Sequence, residues 1–206
     1  MIAIVNYGIG NVNSVIKAFQ LFSNEIEFTD DPEKIRKSKA IVLPGVSSFG
    51  AAMEELEKRN LVQLLKDEIE KGKIFFGICV GIQLLFEESE ETPGIKGLSI
   101  FKGKVKKFED TYYSVPQIGW NQISIIKRDN PILKNINNDY FYFVHSYYVE
   151  PEDKEIIAST TDYGVVYPST IWHKNIFAVQ FHPEKSQNIG LKLLKNFVQF
   201  VYNNNG

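Results

Sequence analysis

A single cysteine, Cys79, stands in 206 residues. No disulfide can form within the chain, which fits a reducing compartment. Neither sign of charge dominates. A net charge of −2 leaves no basic field to draw nucleic acid or an anionic membrane surface. No apolar run is long enough to span a bilayer. Met1-Ile2-Ala3-Ile4-Val5 lacks a basic n-region and meets Asn6-Tyr7-Gly8 too soon for a secretory signal. Repeats and low-complexity linkers are missing too. These absences predict one cytoplasmic domain, residues 1–206, with no nucleic-acid and no membrane partner. Only Asn203-Asn204-Asn205-Gly206 reads as a frayed end.

What is present is organised around the cysteine. Ile74-Phe75-Phe76 runs into Gly77-Ile78-Cys79-Val80-Gly81, and an amphipathic stretch, Ile82-Gln83-Leu84-Leu85-Phe86, follows. The pattern predicts a buried strand, a sharp turn and a helix, with Cys79 at the apex of a nucleophile elbow. Gly77 and Gly81 suit a turn where side chains would strike the neighbouring strand and helix. A thiol at a helix N-terminus sees the positive end of the dipole, which favours the reactive thiolate. The plainer reading is a small buried hydrophobe.

The rest of the first half alternates strands and helices. Ile2 to Val5 reads as a strand, followed by a Gly-rich turn, Asn6 to Asn11, and a helix capped by Asn13 or Ser14. The turn has neither G-x-G-x-x-G nor a P-loop Lys-Ser/Thr, so no nucleotide cofactor is expected. Glu25–Thr29 and Ala40–Leu43 read as strands, with a Pro32-initiated helix through Lys37 between them. The next helix divides around Arg59-Asn60 and closes at Gly72. This order predicts an α/β fold with a mostly parallel, flavodoxin-like sheet flanked by helices, and sites at the carboxyl ends of its strands. After Leu85 the acidic run Glu87 to Gly94 reads as a solvated loop. Short strands then predict an added antiparallel or mixed region: Gly103–Val105, Gln122–Ile125, Tyr140–Tyr148, Glu155–Thr160 and Val165–Tyr167. Aromatics on Tyr140–Tyr148 either form an interface or alternate between core and surface. A last strand, Ile176–Phe181, leads through His182-Pro183-Glu184 to an amphipathic helix from Gln187 to Tyr202.

A catalytic thiol needs a base, and the base needs an orienting group. The chain has three histidines. His173 lies in a hairpin turn and is expected to be exposed. His145 lies within the aromatic strand and is expected to be packed. His182 ends an apolar strand, and Pro183 holds Glu184 in fixed relation to it. No metal site is expected.

Gly77-Ile78-Cys79-Val80-Gly81-Ile82-Gln83 and Gln180-Phe181-His182-Pro183-Glu184-Lys185-Ser186, about a hundred residues apart, resemble the motifs of the triad-type class I glutamine amidotransferases. The resemblance runs from Met1 to the last helix. Asn6-Tyr7-Gly8-Ile9-Gly10-Asn11, Leu43-Pro44-Gly45-Val46, Ile118-Gly119-Trp120-Asn121 and Tyr142-Phe143-Val144-His145-Ser146-Tyr147 are similar, within that family, to the glutaminase subunits of imidazole glycerol phosphate synthase. The resemblance implies hydrolysis of L-glutamine to glutamate and ammonia, with Cys79 as nucleophile, His182 as acid and base, and Glu184 as its orienter. It implies an oxyanion hole from Val80 with Gly45 and Val46, and substrate binding by Gln83, Ser186 and Gln187. It further implies a separate (β/α)8 cyclase bound in trans as a heterodimer, with Asn11, Trp120, Tyr142 and Lys185 at the interface and ammonia gate.

Two positions depart from that pattern. Ser47 replaces the last Gly of Pro-Gly-Val-Gly, where positive φ costs a side chain energy. Gln117-Ile118 replaces His-Met, a change expected to alter the partner surface. Both leave room for a paralogue feeding another acceptor, such as a surface-sugar amidotransferase. A catalytically silent subunit and a stand-alone cysteine hydrolase also stay open.

Overall fold

A computed structural model describes residues 1–10, 12–109 and 113–203. Asn11 and the tail residues 204–206 lie outside the described residues. The first half contains β1 (Ile2–Val5), α1 (Asn13–Gln20), β2 (Ile26–Thr29), α2 (Pro32–Lys37), β3 (Ala40–Leu43), α3 (Phe49–Lys58), α4 (Leu61–Glu70), β4 (Ile74–Ile78) and α5 (Val80–Gln83). The second contains β5 (Glu88–Ser89), β6 (Gly103–Lys107), β7 (Gln117–Gln122), β8 (Ser124–Ile125), β9 (Tyr140–His145), β10 (Tyr147–Pro151), β11 (Ile157–Asp162), β12 (Val166–His173) and β13 (Ile176–Val179), then α6 (Gln187–Asn203).

The main sheet has eight strands in the order β2-β1-β3-β4-β13-β12-β11-β8. From β2 to β13 neighbours are parallel, and beyond β13 they are antiparallel. The parallel strands are apolar at nearly every position because helices cover both faces. Alternate residues serve opposite cores. Ile2, Ile4, Val42 and Phe76 pack with Phe19 of α1 and Phe197 of α6. Ala3, Val5, Ile41 and Phe75 pack with Ile35, Leu56 and Leu65 of α2, α3 and α4. Phe76 stacks on Phe197 with centroids 4.7 Å apart. Each such fully buried Phe contributes about 1.5–3 kcal/mol through the area it removes from water.

Local chemistry sets the helix ends. Asp31 accepts from the Glu33 N–H at 2.8 Å just before Pro32, and Ser48 caps α3. Helix α1 departs from expectation. Its N-cap is Val12, one residue ahead of Asn13, and makes no side-chain cap hydrogen bond. The helix after Cys79 is also shorter than expected, a single turn. Leu98, Ile100 and Phe101 donate their N–H groups to the carbonyls of Leu84 and Leu85, at 2.7–3.0 Å. Gly97 lies so close that a Cβ would meet the Phe86 carbonyl at 2.2 Å.

The acidic run is not merely solvated. Glu87 accepts from Gly103 N–H, Glu90 from Lys107 N–H, and Glu91 from Phe49 N–H at the start of α3. The aromatic stretch is two strands rather than one, broken at Ser146. Strand β9 pairs with β7 as a ribbon, while β10 joins β6. Strand β11 starts at Ile157, after a 3₁₀ turn over Lys154–Ile156. His173 is partly buried rather than exposed, edge-on to Phe101.

Candidate active site

Strand β4 carries Cys79 to the carboxyl end of the sheet, where the Cys79 N–H donates to the Val179 carbonyl at 2.9 Å. The next residue is already helical, so the chain must reverse direction at the cysteine. Cys79 therefore has φ 57° and ψ −109°. A side chain held there costs about 1–3 kcal/mol and is typical of functional turns. The glycines make room for it. A Cβ on Gly77 would lie 2.6 Å from the Gly81 carbonyl oxygen, and one on Gly81 would lie 2.2 Å from the Leu43 carbonyl oxygen of β3. The four residues of α5 supply little dipole. The main source of positive charge at the thiol is a histidine.

That histidine is His182, just past β13. Its backbone N–H donates to the Tyr142 carbonyl at 2.8 Å, which ties the β13 end to β9. Pro183 begins a 3₁₀ turn through Lys185, and the Ser186 hydroxyl closes it on the His182 carbonyl at 2.6 Å. Within the turn, His182 Nδ1 donates to Glu184 Oε1 at 2.8 Å, with both side chains nearly fully buried. Nδ1 is thereby committed to Glu184, leaving Nε2 as the nitrogen for proton transfer. Burial alone would lower the pKa of His182. The negative charge and hydrogen bond of Cys79, and then Glu184, outweigh burial and push it up to about 10. A histidine held protonated beside a thiol offers an acid next to a nucleophile.

A cavity of about 200 Å³ opens over Cys79. Val46, Ser47, Val80, Gln83, His182 and Lys185 line part of it; Glu91 and the segment Val144–Tyr147 complete the wall. No group of three or more His, Cys, Asp and Glu among the described residues could hold a metal ion. A thiol, an acid–base histidine with its carboxylate, and a cavity above them can perform acyl transfer from an amide.

The profile of the glutamine amidotransferase class-I family matches residues 3–200. The chain belongs to that family. It is 48% identical over 204 residues to "Imidazole glycerol phosphate synthase subunit HisH" of Methanocaldococcus jannaschii, covering 98% of this chain and 100% of the relative. The protein of that name from Pyrococcus furiosus is 50% identical over 198 residues, covering 95% and 97%. Among solved structures, one described as a glutamine amidotransferase superposes with a TM-score of 0.76 at 15% identity, covering 97% of this chain and 98% of the other. The glutaminase domain of Trypanosoma brucei CTPS, with bound acivicin, gives 0.72 at 16%, covering 98% and 93%. These two likenesses speak for the fold.

The amidotransferase fold brings Cys79, His182, Val80, Val46 and Gln83 around one cavity, with Glu184 behind His182. Gly45 lies against Val80 and Tyr7, where a Cβ would come within 2.0 Å of Val80 Cγ1. Gln83 is buried, and its amide nitrogen donates to the Tyr147 carbonyl at 3.1 Å and to Gln180 Oε1 at 3.2 Å. Only its oxygen is left for a ligand. Ser186 and Gln187 do not line the cavity. The Ser186 hydroxyl is used on backbone, accepting from Tyr142 N–H as well as donating to His182; Gln187 is exposed at the start of α6. Trp120 and Tyr142 pair across the β7–β9 ribbon with rings 6.1 Å apart. Lys185 is exposed and borders the cavity.

Gln117 is the clearest correction. It was expected to alter the partner surface, but it is buried and accepts from Tyr167 Oη at 2.8 Å. Its neighbour Ile118, 63% exposed, carries the surface change. Of the two readings offered for the aromatic strand, the structure shows the alternation between core and surface. Phe141, Phe143 and His145 face the core, while Tyr140 faces outward. Glu91, Ser146 and Gln180 were missed. Gln180 stood beside a recognised motif, but no spacing rule says that its side chain turns toward the thiol.

Proposed function

We propose that this chain is the glutaminase subunit of an imidazole glycerol phosphate synthase. The observation that carries the proposal is the buried His182–Glu184 pair set against Cys79, with Cys79 and His182 lining the cavity. The full-length likeness to subunits named HisH supports the same reading. Cys79 thiolate attacks the carboxamide carbon of L-glutamine. The oxyanion is received by the Val80 N–H and by the Gly45–Val46 segment opposite. His182 protonates the departing nitrogen, because an amide leaves poorly unless protonated. Ammonia departs and a γ-glutamyl thioester remains. His182 then takes a proton from water, hydroxide attacks the thioester carbonyl, the C–S bond breaks, glutamate is released and the thiolate is regenerated. The Glu91 carboxylate suits the α-ammonium of the substrate, and the Gln83 oxygen is a further acceptor.

Ammonia released into water is protonated and lost as a nucleophile, so the cavity must open toward an acceptor. Exposed apolar residues on the ribbon (Ile118, Trp120, Tyr140), together with Val46 beside the cavity, support a protein partner seated there. The partner is a (β/α)8 cyclase bound in trans as a heterodimer, with Trp120, Tyr142 and Lys185 at the contact and gate. Its products are imidazole glycerol phosphate and AICAR. Ser47 favours keeping a second reading, a paralogue serving another acceptor. Co-purification from the native host separates them. A bound barrel cyclase supports the first, while an ATP-dependent ligase as sole partner moves the assignment to another pathway.

A further inference from the structure

Among the described residues, three groups interact with the sulfur of Cys79 besides its own elbow. One is His182. Another is the Val144 carbonyl, 3.8 Å from Sγ, which can only accept and so favours the protonated thiol. The third is the side-chain amide of Gln180, with Nε2 3.9 Å from Sγ. Gln180 is wholly buried on the short link between β13 and His182.

Which end of that amide meets the sulfur follows from its neighbours. The Tyr147 carbonyl is an obligate acceptor, so the Gln83 amide must turn its nitrogen toward it, at 3.1 Å. The same nitrogen then has one hydrogen left for Gln180, whose oxygen accepts it at 3.2 Å. That leaves the nitrogen of Gln180 facing Sγ. The Tyr147 carbonyl is itself held by His145 Nδ1 at 2.8 Å. The orientation is thus set by a chain that begins at His145 on β9 and ends at the nucleophile.

We propose that Gln180 is a further catalytic residue, an N–H donor that stabilises the Cys79 thiolate and offsets the Val144 carbonyl beside it. It works with His182 but differs from it. The imidazolium gives up its proton during the reaction, whereas the amide keeps its own and remains a donor when the thiolate is regenerated. The proposal deepens the glutaminase reading and rests on Cys79 as its nucleophile. The titratable groups around the thiol are His182 with Glu184 behind it, Tyr7, His145, Glu91 and Lys185. None of them is altered by changing Gln180.

The test is the pH dependence of Cys79 alkylation by iodoacetamide in the full chain, wild type against Gln180→Met, alongside glutamine hydrolysis with the partner present. Loss of one N–H donor to a thiolate is expected to raise the alkylation midpoint by about one pH unit. It is also expected to lower kcat more than it raises KM. Should the Met variant fail to fold, Gln180→Asn serves instead, keeping the amide but drawing it back from the sulfur, with the same upward shift expected. An unchanged midpoint in a folded variant overturns the proposal. A wild-type thiol that alkylates with a shifted midpoint in the variant, while glutamine is not hydrolysed by either, overturns the glutaminase reading and leaves the Gln180 contact standing.

Discussion

Replacing Glu184 by Gln removes a charge from the relay with almost no change of shape. The carboxylate accepts from His182 Nδ1 at 2.8 Å, and the two side chains are 2% and 3% exposed. The amide oxygen of the variant can still accept that hydrogen bond. A bond to a charged partner is worth about 1.5–3 kcal/mol and a neutral one about 0.5–1.5, so the change costs the imidazolium about 1–1.5 kcal/mol. His182, held at about 10 in the native site, falls by about one unit. It stays protonated at neutral pH. The cost appears where His182 must recover a proton from water, and kcat is expected to fall about tenfold with KM little changed. A second cost is structural. Glu184 Oε2 is buried and has no hydrogen-bond partner among the described residues. An amide NH2 placed there is an orphaned donor, expected to lower unfolding free energy by about 1–3 kcal/mol. Glutamate release at saturating glutamine and urea unfolding read the two effects separately. A variant with wild-type kcat refutes the assignment of Glu184 as the orienting charge.

Gly81→Ala drives a Cβ to 2.2 Å from the Leu43 carbonyl oxygen, so urea unfolding is expected to show a loss of about 3 kcal/mol; undiminished stability means the elbow is not clamped on β3. His145 is held at about 4, chiefly by burial, against the pull of the Tyr147 carbonyl and with a push from His182. An unfolded histidine titrates near 6.5, so between those values the unfolded chain binds the extra proton and the native state loses stability as pH falls, by up to about 1.4 kcal/mol per pH unit. His145→Gln is expected to flatten that slope in unfolding titrations, and an unaltered slope contradicts the buried-histidine origin. Ser47 does not have a positive φ here. If the Val46–Ser47 peptide must rotate to complete the oxyanion hole, Ser47→Gly removes about 1 kcal/mol of strain and raises partner-free turnover about fivefold; equal turnover shows that no such rotation is needed.

Much of this was legible in the residues. Strands β1, β3 and β4 announce themselves as uninterrupted apolar runs because helices cover both faces of the sheet. Cys79 and His182 stand out in the sequence because the elbow and the His-Pro-Glu turn are local patterns, and the parallel pairing of β4 with β13 brings the two strand ends together. What was not legible depends on distant backbone. Helix α5 stops at Gln83 because a loop more than a dozen residues later takes the carbonyls of Leu84 and Leu85. Gln117 points inward because the β7–β9 register sets it opposite His145, beside Tyr167. Glu91 looked like one more solvated acid, yet it reaches both the start of α3 and the cavity wall. Ser186 sat beside the triad and was expected to bind substrate, but its hydroxyl is occupied by the turn that positions His182.

The most direct test of the central claim is glutamate release by Cys79→Ala, measured with the partner and its ligand present, against wild type. The account predicts that release falls to background while the complex still forms, because the variant keeps the elbow and loses only the sulfur. Turnover retained in the variant would contradict Cys79 as the nucleophile.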